Sequence, residues 1–282
     1  MELAIPKGWF DNLNPTAKAS WDAYQKRKAE GKLELWEKAK LGVLPNKIYL
    51  PVETNEDTKC ELCGDIGYRH YIENGQEMVE ECECLNRINF ERNMKKSGAN
   101  KDMTFENWHS HDNWQTDMGA KAVEYADGGY LTGQWFFAGG QVGCGKTHIC
   151  TAILHELIKT NIGCKYMAWR DEAVQIKALA NQHEERHQRI MELCKSPVLY
   201  IDDFWKTQQG TNPTPADVHL AFEIINYRYQ DKKYVTIISC ERTVKELMQI
   251  DEAVGSRIYE RSKAYRVEIE KDEAKNYRLK MG

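Results

Sequence analysis

The 282-residue sequence has no apolar run that approaches the ~18 residues of a membrane span. A helical membrane protein is therefore excluded. The first residues, Met1 to Trp9, lack a basic stretch followed by an apolar one, so no secretory signal is expected and the chain reads as cytoplasmic. An excess of basic charge is also missing. Lys and Arg number 39 against 43 Asp and Glu, for a net charge of −4. A dedicated DNA-coating protein would carry the opposite balance, so any nucleic-acid contact has to be a local patch. Nor do the nine cysteines form a disulfide framework. Their number is odd; four are clustered and five are scattered, and paired cysteines in a cytosolic chain point to metal. What is present is a composition of 41% apolar and 29% charged residues, enough for a core within a water-soluble chain of one large domain or two.

The most informative stretch runs from Gly140 to Thr147, Gly-Gln-Val-Gly-Cys-Gly-Lys-Thr. It fits G-x-x-x-x-G-K-[ST] at every fixed position. The glycines let backbone N–H groups turn toward phosphate oxygens, Lys146 can reach the β- and γ-phosphates, and Thr147 can hold Mg²⁺. A strand is expected before it at Gln134 to Ala138. A helix is expected after it, with Ile149, Ile153 and Leu157 on one face and its positive end aimed at the phosphates. The nucleotide-binding set is Gly140, Gly143, Cys144, Gly145, Lys146, Thr147 and His148, joined by Asp202.

Before this motif lies a smaller module, 1–86. Pro15 to Ala39 reads as two short helices broken at Gly31, suited either to docking a partner or to packing on its own domain. Cys60 and Cys63 are followed by a predicted hairpin, with strands around Tyr68–Tyr71 and Met78–Val79 and a turn at Glu73-Asn74-Gly75. The return strand delivers Cys82 and Cys84 beside the first pair. Four thiolates leave no open position, so a structural Zn²⁺ site is expected. The C-x-C spacing is tight, which leaves His70 as a substitute ligand for one of Cys82 and Cys84. A basic segment, 87–101, reads as a linker with a solvated face, nucleic-acid contact being the alternative.

The remainder, 102–282, alternates strand and helix. Strands are expected at Cys164–Trp169, Val198–Asp202, Tyr234–Ser239 and Tyr265–Ile269, and a helix around Trp114–Ala126. This predicts an α/β fold, a parallel five-stranded sheet with helices on both faces and the nucleotide at the carboxyl ends of the strands. Val198 to Asp202, followed by Asp203, is an apolar strand ending in two acids, the Walker B pattern. Asp202 is placed to orient Mg²⁺ and Asp203 to polarise a water. Ser239 ends the next strand and is the candidate for sensing the γ-phosphate. Arg257 and Arg261 share a helix face and could reach a neighbouring subunit's nucleotide. His183-Glu184-Glu185-Arg186-His187 matches the zinc-protease pattern H-E-x-x-H. Its polar flanks argue instead for an exposed helix, with Arg186 and Arg189 as a possible nucleic-acid surface.

Together, the cysteine module, the Gly-Cys-Gly-Lys-Thr loop, Tyr-Ile-Asp-Asp, Ile-Ile-Ser and Gly-Ser-Arg-Ile-Tyr-Glu-Arg resemble bacterial and phage replicative helicase loaders of the DnaC/DnaI type, a branch of the AAA+ ATPases. The resemblance implies an N-terminal domain that docks on a ring-shaped, DnaB-type replicative helicase. It implies an AAA+ domain that binds ATP and single-stranded DNA, in a self-associated or helicase-templated oligomer. Lys146 and Thr147 match the family's nucleotide positions, Asp202 and Asp203 its magnesium and hydrolysis positions, and Arg261 its trans-acting finger, with Arg257 in support. Met103 to Trp108 matches the stretch that lines the adenine pocket. About a dozen residues follow the last predicted strand, which leaves no room for a C-terminal lid, so weak hydrolysis alone and stimulation in assembly are expected. Two other functions compete. A transposition-type, IstB-like ATPase regulator has the same core but no need of the cysteines. A small-molecule phosphotransferase would need an acceptor pocket.

Overall fold

The structure is a computed structural model that describes residues 47–73, 76–207 and 211–279. The two helices expected between Pro15 and Ala39 lie outside the described residues. The chain divides into two units, Met1–Ile88 and Asn89–Gly282. Helix α1 (Leu85–Ser97) carries the division.

In the first unit, β1 (Lys47–Tyr49), β2 (Tyr68–Glu73) and β3 (Gln76–Glu81) form an antiparallel sheet in that order. The register pairs Tyr68 with Glu81 and Glu73 with Gln76; Asn74 and Gly75 of the expected turn lie outside the described residues. The chain then reaches Cys82 directly from β3. Lys47 and Arg69 lie over the rings of Tyr71 and Tyr49, and both approach Glu80.

The second unit holds the parallel sheet in the order β5-β6-β7-β4-β8. Its strands are β4 (Phe136–Gly140), β5 (Cys164–Ala168), β6 (Val198–Asp202), β7 (Val235–Ser239) and β8 (Arg266–Ile269). The middle strands β4, β6 and β7 are buried throughout, as continuous apolar runs between two helical layers should be. Alternation sorts their side chains. Phe136, Ala138, Val198, Tyr200 and Ile237 pack with α2 (Asn113–Ala126) and α3 (Lys146–Lys159). Phe137, Leu199, Ile201 and Ile238 face the other layer. That layer comprises α4 (Trp169–Ala178), α5 (His183–Lys195), α6 (Pro215–Tyr229), α7 (Val244–Ile250) and α8 (Glu252–Arg261). Each fully buried large apolar side chain contributes roughly 1.5–3 kcal/mol. The strand before the phosphate loop begins two residues later than Gln134, because Trp135 fills the core at the strand's foot and donates its indole N–H to the Tyr234 carbonyl at 3.1 Å.

One buried cation holds the second layer together. Arg228 is 0% exposed and, among the described residues, has no carboxylate against it. Its guanidinium donates to the carbonyls of Leu193, Cys194, Ser196, Pro197 and Val235 and to the Thr236 hydroxyl. It thereby satisfies carbonyls left over at the C-terminal end of α5. Burial pulls its pKa down to about 10, still charged at neutral pH.

Candidate nucleotide-binding site

The phosphate loop joins β4 to α3. Gly140, Gly143 and Gly145 have φ of 96°, 72° and 90°, the left-handed region that glycine alone enters freely. Lys146 is buried, and its ammonium donates to the carbonyls of Gly140, at 3.0 Å, and Gln141. Cys144 is buried with its thiol 3.0 Å from the Gln141 carbonyl, and burial pushes that thiol's pKa up, so it packs rather than reacts. The imidazole of His148 donates Nε2–H to the Thr104 carbonyl at 2.8 Å and meets the Trp108 ring edge-on. A Cβ at Gly145 would lie 2.6 Å from the Trp108 ring, so the Met103–Trp108 segment closes on the loop.

Across the loop, Asp202 is 7% exposed and collects four hydroxyls. Oδ1 accepts from Thr147 at 3.0 Å, from Tyr200 at 2.7 Å and from Ser239; Oδ2 accepts from Tyr166 at 2.9 Å. The next residue, Asp203, has φ of 52° and Trp205 has φ of 55°, so the turn after β6 is backbone-strained. That turn is held by the Asp203 N–H, which donates to Ser239 Oγ at 3.1 Å. Ser239 thus links both acids. The Asp203 carboxylate itself pairs with Lys206 at 2.8 Å, and Lys206 reaches Glu241 at 2.9 Å. Thr147 and Asp202 form the oxygen donor set that a hard cation such as Mg²⁺ takes.

The two late arginines do not stand at the surface as a finger would. Arg261 is 5% exposed, donates to the Gly133 carbonyl at 2.8 Å and lies over the Trp135 ring. The sequence places it as the trans-acting finger; the structure places it inside, tying the end of α8 to the segment before β4. Arg257 is half-buried, bonded to the Ala253 carbonyl at 2.7 Å and flanked by Phe222 and Tyr229. Among the described residues, the H-E-x-x-H stretch gathers no metal site. Its Arg186 pairs with Glu223 at 2.7 Å and the following Arg189 with Glu172 at 2.7 Å, so neither is a spare cation for nucleic acid.

In the first unit, the thiols of Cys60, Cys63, Cys82 and Cys84 all lie within 4.8 Å of one another. Cys60 and Cys82 are 3.7 Å apart, near the about 3.8 Å expected between sulfurs of a tetrahedral zinc, and Cys63 and Cys84 are closer, at 3.1 Å. The Gly67 N–H donates to Cys63 Sγ at 3.4 Å, as second-shell amides do to ligating sulfur. The set fits Zn²⁺. His70 stands apart, on β2, paired with Glu77 at 3.2 Å.

A family profile described as the bacterial DnaA ATPase domain matches residues 99–261. The chain belongs to this AAA+ family. Its sequence is 33% identical over 214 residues to the uncharacterized protein YqaM of Bacillus subtilis (strain 168), a match spanning 71% of this chain but less than two thirds, 66%, of YqaM. In structure it is similar to the DnaC helicase loader, with a TM-score of 0.51 and 21% identity over 60% of this chain and 97% of that one. It is also similar to the replication initiator DnaA bound to AMPPCP and single-stranded DNA, with a TM-score of 0.50 and 21% identity over 65% of this chain and 56% of that one. These likenesses agree on the AAA+ fold of the helicase-loader and initiator group. No described helix is long and apolar enough to cross a membrane.

For this AAA+ domain, sequence reasoning assembled Lys146, Thr147, Asp202 and Ser239 but missed their neighbours. Tyr166 and Tyr200 are in register on β5 and β6, and Tyr200 shares a strand face with Asp202. That i, i+2 relation was a usable signal. Lys206, three residues beyond Asp203, was another.

Proposed function

We propose that this chain is an ATP-dependent loader that places a ring-shaped, DnaB-type replicative helicase on single-stranded DNA. The observation that carries the reading is the Thr147–Asp202–Ser239–Asp203 chain of hydrogen bonds, set against a phosphate loop inside a DnaA-family AAA+ domain. Within it Lys146 and the loop from Gly140 to His148 would hold the phosphates, and Thr147 and Asp202 would hold Mg²⁺, which when bound would neutralise phosphate charge. Asp203 orients the attacking water once it leaves Lys206, and Ser239 relays the state of the γ-phosphate to both acids. Of the two arginines, Arg261 is buried and fixes its helix through the Gly133 carbonyl, while the half-buried Arg257 would have to leave the Ala253 carbonyl to meet a neighbouring subunit.

The cysteine cluster favours a loader over a transposition-type regulator, since it builds a rigid zinc-held hairpin that such a core does not require. We assign helicase docking to 1–86, with 87–101 as the connection and 102–282 as the ATPase. The test mixes the full chain with a replicative helicase and circular single-stranded DNA. Helicase should be retained on the circles only with the chain and ATP, and Lys146→Ala should abolish the transfer. Retention that does not need the chain or the nucleotide would overturn the reading.

A further inference from the structure

Beyond β8 the chain does not run off into solvent. It turns back along the phosphate loop as two short 3-10 turns, Glu273–Lys275 and Tyr277–Leu279. Four contacts fasten it there. The Asp272 N–H donates to the side-chain oxygen of Gln141 at 2.8 Å. Asn276 packs so closely on Gly143 that a Cβ there would lie 1.9 Å from its Oδ1. The Tyr277 N–H donates to the Gly143 carbonyl at 2.9 Å. The Tyr277 ring stacks on His111, 5.4 Å between centroids and 20° from parallel.

Lys146 takes the carbonyls of Gly140 and Gln141, and the Gln141 side-chain amide takes that of Val142 at 3.0 Å. Of these four carbonyls, that of Gly143 is the one held, among the described residues, by a residue far away in sequence. No peptide bond here is cis, so in the plane joining Gly143 to Cys144 the N–H points opposite to the C=O. Holding the Gly143 carbonyl against the tail therefore turns the Cys144 N–H away from the tail, into the loop. Loop N–H groups aligned in this way are what binds phosphate in such a nest.

We propose that the segment Asp272–Tyr277 is a positioning element of the nucleotide site, which sets the Gly143–Cys144 peptide in its phosphate-binding orientation through the Tyr277 N–H. It also accounts for glycine at a position the phosphate-loop pattern leaves open: any side chain at 143 would strike Asn276. The inference rests on the nucleotide-site reading above.

Proline separates the N–H from the ring. Tyr277 opens a 3-10 turn, where proline's fixed φ is tolerated, and Asn276 before it is extended (φ −85°, ψ 99°), as a residue preceding proline should be. Tyr277→Pro removes ring and donor; Tyr277→Ala removes the ring alone. Both full-length variants are titrated with a fluorescent ATP analogue, and hydrogen exchange of 140–147 is followed without nucleotide. Tyr277→Pro should bind about 5–10-fold more weakly than Tyr277→Ala, as loss of one hydrogen bond predicts, and its loop amides should exchange faster. A wild-type chain that binds the analogue while the two variants match each other overturns the proposal alone. A wild-type chain that does not bind overturns the nucleotide site and the proposal with it. Should the proline variant melt early, a chain ending at Lys271 is measured instead: unchanged affinity overturns the proposal, and a loss at least as large supports it.

Discussion

Asp203 and Lys206 are ion-paired at 2.8 Å within the strained turn that follows β6. Burial lowers the Lys206 pKa, but its bonds to Asp203 and Glu241 more than offset this, so the net shift is upward. A raised lysine pKa keeps Lys206 charged at every pH below that value, and its half of the pair is lost as pH rises through it. At neutral pH the acid proposed for hydrolysis is therefore restrained. Lys206→Met should release Asp203 and raise basal phosphate release by about two- to fivefold, the scale of a partly exposed ion pair. Asp203→Asn should abolish release while leaving nucleotide binding intact. A Lys206→Met rate at or below wild type would show that the pair is no brake.

Tyr166 supplies the hydroxyl on the Asp202 oxygen that Thr147 does not use. Tyr166→Phe should leave the fold intact and raise the Mg²⁺ concentration needed for half-maximal binding of an ATP analogue by about 2–5-fold. Binding measured in chelator should be unchanged. An equal loss with and without Mg²⁺ would assign Tyr166 to packing instead.

The thiol cluster predicts one zinc per purified chain. Serine at any of Cys60, Cys63, Cys82 or Cys84 should lower the metal content and its retention against a chelator. His70→Ala should leave both unchanged, since His70 bonds to Glu77. Metal content is read by atomic absorption; zinc retained in all four serine variants would refute the site.

Arg228 should matter more to stability than any surface charge. Arg228→Met strands carbonyls at the end of α5 and the start of β6 in a dry interior. Denaturant unfolding should lose about 3–5 kcal/mol, the cost of removing one partner from a buried charged network. A loss under about 1 kcal/mol would mean that water reaches those carbonyls.

The α6 N-terminus adds a pH dependence. Burial raises the Asp217 pKa, but the bonds from Lys177 and Thr214 outweigh it, leaving the carboxylate below its ordinary 3.8. A depressed carboxylate stabilises the fold above its unfolded pKa, and that contribution disappears as pH falls through the lower folded value. Wild type should thus lose about 1 kcal/mol of extra stability below roughly pH 4, relative to Asp217→Asn. Parallel stability curves for the two proteins down to pH 2.5 would remove Asp217 from the account.

The strands at 198–202 and 235–239 were legible because buried parallel strands are continuous apolar runs with sharp polar ends. The cysteine hairpin was legible because two short strand-like runs pair in the register that returns Cys82 to Cys60. Arg261 was misplaced for a physical reason. A helix pattern shows that Arg257 and Arg261 share a face, but not which of them the preceding segment covers, and Gly133 lies 128 residues earlier. The contact of Tyr277 with Gly143 could not be read from the sequence either, because it is made by backbone atoms that every residue except proline possesses.

The place of β4 in the sheet has a consequence for how the protein is born. β4 leaves the ribosome well before its two neighbours, β7, about a hundred residues later, and β8, about 130 residues later. Until β7 has emerged the strand that launches the phosphate loop has neither flank, and until β8 has emerged it has only one. Such distant pairing slows folding, because the chain must close a long loop before any contact rewards it. A nascent chain stopped short of Arg266 therefore carries every residue from Gly140 to Ser239 and still cannot present a finished site. Competence to hold a nucleotide waits on the strand made last in the sheet, β8.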